Sequence, residues 1–405
     1  MSVCRICCVG PVEGALALGR QPVSSHFAPA GQHVVTHDLS LGVCLACGVV
    51  QLVEPFPFRD LVSPHDWITY REPEEHLDAV VDTLLSRVAL PADAVILGLS
   101  FKDRSTLDRL KRRGYPRCHL IDVVRDLGSA TPNANIESVQ GLLTPDIARR
   151  ICAERGRAHL IIARHVLEHA EAAGRFVAAL SDMLAPGGAM VLEVPDCTAN
   201  LQRQDYTMLW EEHVTYFTPE TLPQILAASG LTATGLDVHP FPFEDVLVLT
   251  AVKGHGRSDG THTTEVPADA VARNVALARR YAEAFGPWSE RYRQLCRRLT
   301  RDGRKLALYG AGHLSAAFVN FHGLGEYFAF VVDDTPQKQG LHLPGCGLPI
   351  VAREALNSNQ IAACLTGFAP QLEDRVMANN AGFQEAGGSF YSIFADSKRS
   401  IRNLL

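Results

Sequence analysis

The sequence predicts an α/β protein: a doubly wound parallel sheet, a small cysteine-rich lobe before it and a second α/β unit after it. Three observations carry that expectation. Apolar runs at 94–99, 118–122, 159–163 and 189–194 alternate with helical patterns such as 175–184, the rhythm of parallel strands joined by crossover helices. Two Cys-x-x-Cys pairs, Cys4 with Cys7 and Cys44 with Cys47, stand near the N-terminus with 36 residues between them. Near the C-terminus, the run 305–309 leads into Gly310-Ala311-Gly312, and 329–332 leads into Asp333-Asp334.

Length and composition bound the rest. A chain of 405 residues exceeds one compact core, and 47% hydrophobic with 20% charged residues is a globular composition. A net charge of −6 lacks the basic surface that nucleic-acid binding needs. No apolar run reaches the length of a membrane span, and Met1-Ser2-Val3-Cys4 opens no signal-peptide core. A cytoplasmic protein with no membrane and no nucleic-acid partner is therefore expected. In that compartment its 11 cysteines read as thiols or metal ligands rather than bridges.

The first lobe is expected over residues 1–75. Each Cys-x-x-Cys pair presents two sulfurs from one turn, and two facing turns complete a tetrahedron. Four thiolates leave no open coordination position, so one structural Zn2+ per chain is expected on Cys4, Cys7, Cys44 and Cys47, with Cys8 a possible substitute for Cys7. A bridge punctuated by Pro55, Pro57, Pro64 and Pro73 follows, then a helical pattern over 74–90 carrying Leu77, Val80, Val81, Leu84, Leu85 and Val88. The central domain is expected over 76–260, with ligands beyond the carboxyl ends of its strands. A polar stretch at 254–260 marks a boundary. One or two helices over 267–299, interrupted near Gly286-Pro287, then lead into the last domain, 261–405 in all.

The motifs are more specific than the pattern. His165-Val166-Leu167-Glu168-His169, followed by Pro186-Gly187-Gly188 and the next strand, resembles the middle of a class I methyltransferase. Glu193-Val194-Pro195 and then Trp210-Glu211-Glu212-His213-Val214-Thr215-Tyr216-Phe217 resemble the corresponding blocks of the sugar C-methyltransferases, which act on nucleotide-linked keto-deoxysugars in antibiotic and polysaccharide pathways. That family also carries an N-terminal four-cysteine zinc lobe and a C-terminal Rossmann-like domain. The block 309–312 with 332–340 and 343–345 is similar to the latter, so the resemblance spans nearly the whole chain in order.

The resemblance implies a chemistry. A carbon beside a keto group is weakly acidic, so a general base takes its proton while a donor or cation holds the enolate oxygen. The carbanion then attacks the methyl of S-adenosylmethionine. His213 matches the family's base position, Glu212 is the neighbouring carboxylate, His169 matches a second pocket histidine, and Tyr216 follows one helical turn on. Gly98, Ser100, Asp122 and His165 stand where cofactor contacts are implied, Asp122 at the end of strand two where an acid holds ribose hydroxyls. Trp210, His313 and Lys338 are the substrate-side candidates, for a nucleotide-diphosphate sugar.

The chain also departs from the pattern. Of the acid-x-Gly-x-x-x-Gly loop after strand one only Gly98 remains, and Lys102 puts positive charge near a sulfonium. Trp210 replaces a tyrosine, Glu211 a histidine, and 241–246 an arginine-containing stretch. Gly310-x-Gly312 with Asp333 at the next strand end resembles a dinucleotide fingerprint, but Ser315 replaces the third glycine, so packing or sugar-nucleotide binding is preferred there over NAD. These departures keep two alternatives open: a relative with lost or altered cofactor, acting as a sugar-nucleotide epimerase, isomerase or NAD-using enzyme, and a non-catalytic sugar-nucleotide-binding partner.

Overall fold

The computed structural model describes the chain apart from residues 1, 66, 69–73, 130–135, 228, 242–243, 255–265 and 359. The boundary stretch at 254–260, apart from its first residue, and Pro73 lie outside the described residues. So does part of the stretch at 241–246.

Three sheets organise the molecule. In the first, β1 (Val12–Pro22), β2 (Thr36–Cys44) and β3 (Val50–Leu52) form an antiparallel meander. The second is built on β4 (Ile96–Gly98), β5 (Cys118–Leu120), β6 (Ala158–Arg164) and β7 (Leu184–Asp196). The chain then returns to the first sheet for one short strand, β8 (Thr215–Tyr216), paired antiparallel to β3. It rejoins the second with β9 (Leu231–His239) and β10 (Asp245–Lys253). The second sheet has the order β5-β4-β6-β7-β10-β9, with β10 antiparallel to both of its neighbours. The four strands expected in the parallel sheet are joined by a β-hairpin that adds one reversed strand.

Strands of the central sheet are apolar on both faces because helices cover both. Leu97, Ile161, Met190, Leu192, Leu247 and Leu249 point into one core together with Phe176, Val177 and Leu180 of the helix Ala173–Met183. Their alternates Ile96, Leu160, Ile162, Val191, Val246 and Val248 pack on the other face with Val80, Val81 and Leu84 of the helix Leu77–Arg87. The Pro186-Gly187-Gly188 turn is drawn into the start of β7: Gly187 adopts φ 74°, and the ladder to β6 shifts register between Ala158 and Leu160.

The third sheet consists of β11 (Lys305–Tyr309), β12 (Phe328–Val332), β13 (Ile350–Val351), β14 (Ile361–Thr366) and β15 (Ser389–Ser392). It is parallel throughout, in the order β13-β12-β11-β14-β15.

A single helix, Ala268–Leu299, replaces the interrupted pair expected around Gly286-Pro287. Proline removes one backbone donor, yet the neighbouring residues are pinned from outside the helix. Trp288 donates its indole N–H to Gln204 at 2.7 Å, and the Ser289 hydroxyl lies 2.7 Å from His322 Nδ1. Val275, Ala278 and Tyr281 pack on the first lobe, while Tyr292, Leu295 and Cys296 pack under the third sheet. The helix is therefore the beam between the outer lobes. Among the described residues no helix is long and apolar enough to cross a membrane.

Gly98, at the end of β4, shows how tightly the central sheet is closed. A Cβ there would sit 2.8 Å from the Cβ of Asp103 and 2.9 Å from a methyl of Leu107. Gly98→Ala should cost about 1–3 kcal/mol, as overpacking of a closed core does. A lowered midpoint in urea denaturation with an unchanged m-value checks this.

Candidate functional site

The four cysteines of the two pairs converge. Cys4 Sγ lies 3.8 Å from Cys47 Sγ, Cys7 Sγ lies 3.6 Å from Cys44 Sγ, and all four sulfurs fall within 4.8 Å of one another. A tetrahedral ion with Zn–S bonds of about 2.3 Å needs sulfurs about 3.8 Å apart, so the spacing fits such an ion without rearrangement. Backbone N–H groups of Ile6, Gly10 and Ala46 point at Cys4, Cys7 and Cys44 sulfurs at 3.4 Å each, the arrangement that favours thiolates. Gly10 is required: a Cβ would come within 2.4 Å of Cys44 Sγ. Cys8 turns outward and is exposed.

Beyond β4 the loop closes on itself. Both Leu99 and Ser100 donate their amides to Asp103 Oδ2, at 2.7 and 2.9 Å, and Arg164 donates its amide to Asp103 Oδ1 at 2.9 Å. Burial raises the Asp103 pKa to about 6 against those hydrogen bonds and the Arg164 charge. The Ser100 hydroxyl accepts the Lys102 amide, completing a capping box. Gly98 makes room for Asp103, and Ser100 caps the turn. Asp122 is exposed at the end of β5, its Oδ1 accepting the amides of Val124 and Arg125.

His165 is also turned inward. It adopts φ 49°, a left-handed conformation unusual for histidine, and is buried. Its Nε2 lies 3.1 Å from Glu193 Oε1 and its Nδ1 3.4 Å from Glu168 Oε1. Glu193 is a hub. Arg164, its cross-strand partner, donates to it at 2.9 Å, and His76 Nε2 lies 3.2 Å from its other oxygen. Burial alone would raise the Glu193 pKa. The contacts from His165 and His76 and the Arg164 charge outweigh it and hold the carboxyl well below the usual range.

The residues after that bend meet the segment 210–217. His169 and His213 stand edge to face, ring centroids 4.8 Å apart, with Trp210 5.0 Å from His213. Glu168, His169 and His213 bring a carboxylate oxygen and two ring nitrogens within 4.8 Å of one another, a set that could also hold a cation. Burial, followed by the charges of His169, His313 and Lys102, pushes the His213 pKa well below its ordinary value. Glu212 is buried beside His213 in the chain. Tyr216 lies near the pair, but its hydroxyl is committed: it accepts the Trp210 N–H at 3.0 Å and donates to the Trp210 carbonyl at 3.2 Å. Tyr216 thus shapes the turn rather than facing an open site.

Trp210 connects this cluster to both outer lobes. Its indole N–H donates to Ser24 Oγ at 3.2 Å, and its ring stacks on His313 at 4.2 Å and 11°. Glu211 accepts the Ser24 amide. His313 opens the helix His313–His322 and lines a cavity of about 180 Å³ with Ser24, Ser25, Gly312, Thr335 and Lys338. Lys338 Nζ lies 3.0 Å from Asp333 Oδ2, donates to the Ala311 carbonyl, and sits 5.3 Å over the Phe27 ring. Of the candidates, His313 and Lys338 share the cavity lining, and Trp210 links them to the His169–His213 pair through its stack on His313.

Sequence reasoning missed Glu168, Glu193, Arg164 and His76. Glu168 and Glu193 stood inside quoted motifs, and the signal available was a buried acid beside histidines at the ends of neighbouring strands.

Comparison with known proteins finds two family models, a full-length relative and solved structures similar to this chain. Residues 68–235 match the family model described as a methyltransferase domain, and residues 262–394 match the C-methyltransferase C-terminal domain. C-methyltransferase NovU of Streptomyces niveus is 25% identical over 408 aligned positions, covering 96% of this chain and 94% of that protein. Among solved structures, 1,6-didemethyltoxoflavin-N1-methyltransferase of Burkholderia thailandensis is 17% identical, covering 44% of this chain and 77% of its own, with TM-score 0.30. Magnesium protoporphyrin IX methyltransferase of Synechocystis PCC 6803 is 16% identical, covering 44% and 83%, with TM-score 0.31. Two domain matches in succession behind a four-cysteine lobe, and a relative aligned over nearly its full length, are what this chain shares with the C-methyltransferases.

Proposed function

We propose that the protein transfers a methyl group from S-adenosylmethionine to the carbon beside the keto group of a nucleotide-linked deoxysugar. The observation that carries this reading is the His169–His213 pair packed against Trp210, whose ring stacks on His313, a residue that lines a cavity with Lys338. His213 takes the proton from carbon. Its depressed pKa keeps the imidazole neutral near pH 7 and so able to accept one. The same positive surroundings, with Lys102 among them, favour the enolate oxygen. Gly312, Thr335 and Lys338 receive the diphosphate, Lys338 exchanging part of its contact with Asp333 for phosphate oxygens.

The methyl donor is consumed at each turnover and supplies an electrophilic methyl on a sulfonium. Asp122, exposed at the end of β5, fits its ribose hydroxyls. The amides of Leu99 and Ser100, already spent on Asp103, are not available to its amino-acid end. That closure favours a second reading, an epimerase or isomerase that uses the same base for enolisation alone. We further propose that one structural Zn2+ occupies the four thiolates, with Cys4, Cys7, Cys44 and Cys47 each supplying one bond.

S-adenosylhomocysteine should raise the melting temperature, and its failure to do so at millimolar concentration would contradict the methyl-transfer reading. His213→Ala should slow solvent-deuterium exchange into a thymidine-diphosphate keto-deoxysugar by on the order of 10²-fold or more. A base whose pKa is lowered stays neutral as pH falls, so the exchange rate should hold level from pH 8 to below pH 6.5; a fall beginning near pH 7 would contradict the assignment. Metal analysis of the purified chain should give about one zinc, and Cys44→Ser should remove it and unfold the first sheet at lower temperature.

A further inference from the structure

An imidazole base that gains a proton in a buried, already positive setting needs a compensating charge. The sequence suggests Glu212 for this role. The structure sets a second carboxylate, Glu168, against the pair. Glu168 is 1% exposed, its oxygens make no hydrogen bond of good geometry, and it groups with the ring nitrogens of His169 and His213 within 4.8 Å. It is also fixed in place. The Val214 amide donates to the Glu168 carbonyl at 2.7 Å, joining the two segments that carry the histidines. The side chain is approached by His165 Nδ1 at 3.4 Å, and His165 in turn reaches Glu193.

We propose that Glu168 is the positioning carboxylate of the His169–His213 pair, held in register by the His165–Glu193 bridge. Its charge selects which ring nitrogen carries the proton before the reaction and balances the imidazolium afterwards. No bond to substrate is involved. The groups facing it are His165, His169 and His213, with Glu193, Arg164 and His76 behind His165, and with Lys102 and His313 acting on His213 by their charge. The left-handed backbone at His165 is explained by the same arrangement, because it turns the imidazole between two carboxylates.

This inference rests on the histidines acting as proposed, but its primary test needs no substrate. Ring-nitrogen NMR shifts of His169 and His213 are recorded at pH 7.5 on the full-length, zinc-loaded protein, wild type and Glu168→Gln. The expected result is a changed tautomer population in the variant, reversed in Glu168→Asp. Unchanged shifts for both rings overturn the proposal, whatever happens to activity. The same samples titrated with further Zn2+ test the cation reading: stoichiometric uptake beyond the cysteine site that moves both rings in wild type also overturns it. Turnover then separates the two claims. With a thymidine-diphosphate keto-deoxysugar, E168Q should lower the exchange kcat by on the order of 10²-fold with KM within about threefold, and E168D should recover at least about tenfold. Changed shifts without any turnover in wild type keep the positioning role and remove the proposed reaction. Should E168Q fail to fold, the same spectra on His165→Asn, which withdraws the support from Glu168, are expected to show the altered tautomers, and unaltered ones overturn the proposal.

Discussion

The buried carboxylate of Glu193 is the constraint on which the site depends. An ionised group at the centre of a sheet must be neutralised, and removing one partner of such a pair costs about 3–5 kcal/mol. Here the partners are Arg164, directly across the β6–β7 ladder, and His165 and His76. Meeting that demand bends the chain at His165 into a left-handed turn. The bend aims Glu168 and His169 toward the carboxyl end of the sheet. Packing alone would not give this geometry; the electrostatic requirement selects one conformation among those the core allows.

The segment 210–217 performs the corresponding task between lobes. Within it, Trp210 touches Ser24 of the first lobe and His313 of the third, Val214 ties to Glu168, and Thr215–Tyr216 adds a strand to the first sheet. The proposed base His213 sits at the junction of all three. Metal in the first lobe, if bound as proposed, would therefore support the chemistry indirectly, by fixing the sheet on which this segment rests.

Much of the architecture could be read from residue pattern. Apolar strands, the Cys-x-x-Cys pairs and the second glycine turn all appear where local sequence places them, because each depends on period or spacing alone. Pro287 misled, since contacts from Gln204 and the outer lobes hold the helix through a residue that would break it locally. The polar network was illegible for a related reason. Glu193 meets Arg164 only through strand register, and Glu168 meets His213 only because two distant segments converge. Gly98 shows a second demand on the same residue: its missing Cβ accommodates Asp103, a contact the loop pattern alone does not reveal.

The loop after β4 is what separates the two readings of function. Its amides face Asp103, yet the surrounding residues 68–235 match the methyltransferase-domain model and the strand-end acid Asp122 is exposed. The most direct measurement supplies S-adenosylmethionine labelled with ¹³C in the methyl group, together with a thymidine-diphosphate keto-deoxysugar, to the zinc-loaded protein, and locates the label by carbon NMR. The account requires a ¹³C methyl bonded to the carbon beside the keto group. Label on oxygen, or no label while solvent deuterium still enters that carbon, would contradict it.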